Sequence, residues 1–140
     1  MPVRLLSSSV LKWPDDRTVG LAIRQWSVRL VRRRPDVVRI GYFGSYARGD
    51  WGVGSDLDVV IVIERSDKPF FQRALEWDVS GLPVPAEVLV YTEAEWVSMR
   101  GRFAHTLRQE AIWVYSRAKD AGPAPTSLPP ELFPAEGPKD

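Results

Sequence analysis

The sequence of 140 residues contains no cysteine and a single histidine. The first absence removes disulfides, thiolate nucleophiles and cysteine zinc sites, and the second removes histidine clusters for zinc. Any metal must then be held by oxygen, which points to Mg, Mn or Ca chemistry. An excess of one charge is also missing. Lys+Arg 19 stand against Asp+Glu 18, a net charge of +1, so no global field is available to grip nucleic acid, which argues against a DNA or RNA coat protein. No apolar run approaches the roughly 20 residues of a membrane span, and no signal-peptide pattern opens the chain. A cytoplasmic protein without membrane contact is expected.

What is present is a globular composition, 44% hydrophobic and 26% charged, in a length that suits one domain. Glycine and proline are unevenly spread. Gly41, Gly44, Gly49, Gly52 and Gly54 are half of the 10 glycines, and Pro123, Pro125, Pro129, Pro130, Pro134 and Pro138 half of the 12 prolines. The glycine cluster reads as a functional loop. The proline cluster reads as a tail, residues 120–140, without a periodic apolar pattern, leaving residues 1–119 as the folded domain. Leu128, Leu132 and Phe133 in the tail suggest docking onto a partner or a second copy, that is, a homo-oligomer. The Ser7-Ser8-Ser9 run carries no function that the sequence reveals.

Asp15 or Asp16 is positioned to cap a helix. Val19, Ala22, Ile23, Trp26 and Leu30 form one apolar helical face behind it. Arg32, Arg33 and Arg34 suit the negative end of that helix, and Pro35 stops it. Strands are predicted over Val37 to Phe43, over the continuous β-branched run Leu57 to Ile63, and over Pro85 to Tyr91. Lys68 to Val79 is a predicted helix with Phe71, Leu75 and Trp77 apolar. Thr92 and Glu95 match a capping box. The helix they open should break near Gly101 and resume to Gln109, before a last strand at Ile112 to Tyr115. The fold class is α/β (α+β), a small mixed sheet with packed helices. His105 reads as a helix-surface or partly buried residue. The tryptophans read as core, except Trp51, which lies in the glycine-rich loop and either stacks on a base or shields the loop.

The chemistry concentrates in Gly41 to Glu64, GYFGSYARGDWGVGSDLDVVIVIE. Gly44 and Ser45 follow a strand, where a glycine lets backbone N–H groups approach a phosphate and a serine adds a donor. Asp56 and Asp58 open a buried strand at i and i+2, so both leave the same face, roughly 6.5–7 Å apart at the backbone. Glu87 opens the third strand as the sole acid between Pro83 and Val90. If that strand lies beside the second, Glu87 supplies a third carboxylate at about the 4.8 Å strand spacing. Such carboxylates suit Mg²⁺ (or Mn²⁺), which completes its shell with water and substrate phosphates, and Arg48 can add a charge-assisted contact to those phosphates. Structural alternatives stand beside each reading. The loop can be a tight turn with Asp56 capping and Arg48 paired to Asp50. Arg48 can orient the aspartates instead of a phosphate. Glu87 can be an edge residue paired to an arginine, and Ser55 is by type a turn-former.

The run GS-x-ARG-D…GSD-L-D-VV resembles the signature of the polymerase-beta nucleotidyltransferase superfamily, and most closely its minimal branch, the MNT proteins. The interval from Ser45 to Asp56, 56 − 45 = 11 positions, suits that family, and Glu87 stands where it more often has aspartate. The resemblance covers Val37 to Tyr115. It implies the polymerase-beta-like fold, a small mixed sheet with helices on one side. It also implies transfer of a nucleoside monophosphate, AMP from ATP being the expectation, to a hydroxyl of a protein or other acceptor. Asp56, Asp58 and Glu87 would be the catalytic and metal-binding set, and Gly44, Ser45, Arg48 and Ser55 would bind the nucleoside triphosphate. Many minimal members accompany a small helical HEPN protein, so the alternative is an antitoxin that neutralises a HEPN-domain partner by binding, with or without AMPylation.

Overall fold

The structure, a computed structural model, describes residues 13–117. The proline-rich tail expected at 120–140 and the Ser7-Ser8-Ser9 run lie outside the described residues. Helix α1 spans Asp16–Arg33. Asp15 caps it, its carboxylate accepting from the Thr18 N–H at 2.8 Å, and Val19, Ile23, Trp26 and Leu30 are buried along one stripe as predicted. Strand β1 (Val37–Phe43) follows, then the single-turn helix α2 (Ser45–Arg48) and strand β2 (Leu57–Ile63). A short helix α3 (Phe70–Arg73) with a 3₁₀ turn (Ala74–Glu76) leads to β3 (Ala86–Thr92), α4 (Glu93–Ser98), α5 (Arg102–Glu110) and β4 (Ile112–Ser116).

The four strands lie in the order β3-β2-β1-β4. β1 runs antiparallel to both β2 and β4, whereas β2 and β3 are parallel, so the sheet is mixed. Alternation along β2 divides its side chains. Leu57, Val59, Ile61 and Ile63 join the α1 stripe in the main core. Val60 faces the other way, into a smaller cluster with Leu107, Ala111 and Trp113, bordered by Phe43, Tyr91, Trp96 and Met99. Asp58 shares that second face.

The capping box forms in both arms: the Glu95 N–H donates to Thr92 Oγ1 at 3.1 Å and the Thr92 N–H to Glu95 Oε1 at 2.9 Å. The chain breaks as expected at Gly101, which has φ +104. His105 lies on the exposed surface of α5.

The helix predicted over Lys68 to Val79 is a correction. Only Phe70–Arg73 is α-helical, followed by one 3₁₀ turn. Phe71 and Leu75 are 75% and 85% exposed, and Trp77 is buried from an extended backbone outside the helix. The reason is Arg73, only 5% exposed. Its guanidinium donates to the carbonyls of Lys68 and Val90 and forks onto the Glu95 carboxylate at 2.7 and 3.0 Å. Residues two apart on a helix lie about 200° apart, so burying Arg73 turns Phe71 and Leu75 outward. A charged network, not the apolar pattern, set the orientation of this turn.

Candidate active site

β2 and β3 begin side by side, and their parallel register pairs Leu57 with Ala86 and Asp58 with Glu87. Asp58 and Glu87 are therefore direct neighbours on one sheet face, at about the 4.8 Å strand spacing. Asp56, just before β2, is exposed, as is Glu87, while Asp58 is half-buried. Burial, and then the charges of Glu87 and Asp56, push the Asp58 carboxyl above the usual carboxylate range. A carboxyl raised by burial and by neighbouring acids is suited to a cation, which relieves both effects.

On the other side of Asp58 lies the end of β1, where Phe43 pairs with Asp58 across the ladder. Gly44 follows with φ 80 and ψ −155. A Cβ at this position would land on Asp58 Oδ2 and lie 3.2 Å from its Cγ. The glycine is thus required twice, by its backbone conformation and by the carboxylate packed against it. The glycine-rich loop beyond is braced rather than open. The Trp51 ring stacks on Tyr46, centroids 5.7 Å apart and planes 7° from parallel. The buried Tyr46 donates to the Pro14 carbonyl at 3.0 Å and accepts from Trp13 Nε1 at 2.9 Å. Of the two readings of Trp51, loop shielding describes what this ring does here.

Ser55 closes a turn. Its Oγ accepts from the Gly52 N–H at 2.8 Å and its N–H donates to the Gly52 carbonyl at 3.0 Å. Arg48 divides its guanidinium between Asp50 (3.1 Å) and Glu110 (3.3 Å), so the Arg48–Asp50 pair weighed from sequence is present.

Glu110 is the residue sequence reasoning missed. It ends α5, and its Oε2 accepts from the Gly44 N–H at 2.6 Å. A carboxylate at a helix C-terminus opposes the helix dipole, which was the one signal available. Gly44, Ser45, Arg48, Asp56, Asp58 and Glu110 line a cavity of about 450 Å³, walled by Phe43, Phe103 and Thr106. Glu87 flanks Asp58 through the ladder and is not part of that lining.

The donor set suits a divalent cation of the Mg type: carboxylate oxygens only, with Asp58 charge-strained among its neighbours. Among the described residues, no group of three or more His, Cys, Asp or Glu side chains is arranged to hold a metal ion by itself. Mg²⁺ does not require such a cage, since one or two carboxylates with water and substrate phosphates suffice. No helix of the described residues is long and apolar enough to cross a membrane.

The sequence model of the nucleotidyltransferase domain family matches residues 23–114. No curated protein matches the chain. Among solved structures, a candidate nucleotidyltransferase from Sulfolobus solfataricus is similar at a TM-score of 0.55 and 18% identity, over 74% of this chain and 86% of that one. A toxin–antitoxin crystal structure with AMP-PNP is similar at 0.49 and 17%, over 69% and 76%. The toxin–antitoxin MntA–HepT is similar at 0.45 and 14%, over 69% and 73%.

Proposed function

The chain belongs to the nucleotidyltransferase domain family, and on that premise we propose that it transfers a nucleoside monophosphate from a nucleoside triphosphate to a hydroxyl of a protein or other acceptor. ATP is the first donor to test, and the cytoplasm, where nucleoside triphosphates are held, the expected compartment. In this reaction the acceptor oxygen bonds to the α-phosphorus, the bond from that phosphorus to the bridging oxygen breaks, and pyrophosphate leaves. The observation that carries the reading is the ladder pairing of Asp58 with Glu87, with Asp58 pressed against Gly44.

Asp56, Asp58 and Glu87 would hold Mg²⁺ or Mn²⁺. When bound, the ion supplies a lowered pKa for the attacking hydroxyl and charge neutralisation for the leaving pyrophosphate. The remaining roles belong to the chain. Gly44 leaves room beside Asp58, and the Ser45 hydroxyl offers a donor to a phosphate. Ser55 accepts from Gly52 and keeps its own proton to donate. Among the described residues the two pairs of Arg48 use Nε and Nη1, which leaves Nη2 for an anion. No protein nucleophile is needed, in accord with the absent cysteines.

Calorimetric titration of the purified protein with a non-hydrolysable ATP analogue and Mg²⁺ tests this reading. Saturable binding that is lost on chelating the metal is expected. A protein that binds no nucleoside triphosphate under these conditions overturns it.

A second reading is supported by exposed apolar side chains along the edge strand β3. Phe71, Leu75 and Val97 are 71–85% exposed, on elements that pack along β3, where a docking partner would find apolar side chains to bury. In this reading the chain is an antitoxin that neutralises a HEPN-domain partner by binding. The two readings are compatible, since modification of the partner can be the neutralising act. Asp56→Asn with Asp58→Asn separates them. Neutralisation that survives the double substitution requires binding alone, and neutralisation lost with the fold intact requires chemistry.

A further inference from the structure

Glu110 is a carboxylate in a site that the reading above assigns to a polyphosphate, and its position is unfavourable for α5 itself. An anion in the last turn of a helix is destabilising by the dipole, so a tertiary contact must hold it there. That contact is specific. Oε2 accepts from the Gly44 N–H at 2.6 Å, and the same carboxylate lies 3.3–3.4 Å from Arg48 Nη1. Gly44 is in turn the residue whose Cα faces Asp58 without room for a side chain. A line of contacts therefore runs from the end of α5 through the Gly44 peptide to the Asp58 carboxylate.

We infer that Glu110 is a positioning residue, which clamps the Gly44 peptide so that the loop holds Asp58 in place and presents Ser45 to the nucleotide. This rests on the nucleotidyl-transfer reading and changes one part of it. Gly44 serves by lacking a side chain, and its N–H belongs to Glu110 rather than to a phosphate. The two contacts of Glu110 are unequal. The partner of its ion pair, Arg48, is 49% exposed, and such pairs contribute little. The hydrogen bond from the Gly44 N–H to a side chain only 16% exposed is charge-assisted and shielded, and carries more. A neutral side chain that keeps an oxygen acceptor should therefore preserve the clamp, and a side chain without one should not.

The test compares Glu110→Gln and Glu110→Ala. In nucleotide-free protein, amide hydrogen exchange reads the clamp directly. The Gly44 amide is expected to be protected in the wild type and in E110Q, and to exchange in E110A. Binding of the Mg²⁺-ATP analogue is expected to weaken by about 10-fold or more in E110A and to stay within about 3-fold in E110Q, with thermal unfolding confirming that both are folded. Tighter binding in either variant overturns the inference, because Glu110 would then compete with the phosphate. Unchanged binding in E110A overturns it as well, because the contact would then serve stability alone. A Gly44 amide that exchanges freely in the wild type refutes the clamp. A wild type that binds no nucleotide refutes the nucleotidyl-transfer reading instead, and leaves the exchange result to decide the clamp.

Discussion

The carboxylate of Asp58 occupies the space in which a side chain on Gly44 would lie. This contact joins the end of β1 to the start of β2. It makes the glycine a condition of the acid's position, and it sets the first prediction. Gly44→Ala combines strain at φ 80 with a collision against Asp58. It is expected to lower stability by about 1–3 kcal/mol, read as a shifted urea midpoint, and to weaken Mg²⁺-nucleotide binding by more than that loss of stability explains.

Asp58→Asn should separate function from stability. The carboxyl is pushed up by burial and by Glu87 and Asp56, so a neutral side chain of the same shape removes repulsion. The melting temperature is expected to stay level or rise. Nucleotidyl transfer is expected to fall at least about 100-fold, since even residues behind a metal ligand commonly contribute 10–100-fold. A variant that loses stability and keeps activity would remove Asp58 from the metal-binding set.

The Arg73–Glu95 pair predicts an acid-sensitive term. The hydrogen bond from Arg73 holds the Glu95 carboxyl below its usual range. A depressed folded pKa stabilises the protein above the unfolded carboxylate range, about pH 4.3, and that contribution is lost as pH falls through the folded value. Denaturant unfolding of wild type and Glu95→Gln is expected to differ most above about pH 5, and the two curves should converge on acidification. A gap that widens as pH falls would contradict the assignment.

The turn after β2 gives a contrast of sites. Phe71→Ser and Leu75→Ser, at exposed side chains, are expected to change stability by no more than about 0.5 kcal/mol. Ile61→Ala, at a fully buried residue of β2, is expected to cost about 2–5 kcal/mol. Comparable losses at all three positions would show that Phe71 and Leu75 are covered in solution.

Much of this was legible locally. The α1 stripe from Val19 to Leu30, the Thr92–Glu95 capping box and the break at Gly101 depend on neighbours a few residues away, and each appears where its pattern placed it. Asp58 was legible as an acid at the head of a buried strand because the apolar run after it fixes which strand that is, whereas Asp56, expected on the same strand, lies just before it. Arg73 was not legible. Its partners Val90 and Glu95 are 17 and 22 residues away, and nothing in the local apolar pattern reports them.

The sequence by itself determined the chemistry available to this protein. Without cysteine and with one histidine, any metal site has to be built from oxygen ligands, and the Gly-Ser and Asp-x-Asp pairs lie within 15 residues of chain, from Gly44 to Asp58. Tertiary structure alone decided which groups meet. Glu87 comes beside Asp58 because β3 pairs with β2 in that register, and Glu110 reaches Gly44 across 66 residues because α5 ends over the mouth of the site. The physical reason is range. Spacing fixes the face on which a side chain emerges, whereas strand order and helix packing, set by the burial of apolar surface across the whole domain, fix what stands opposite it.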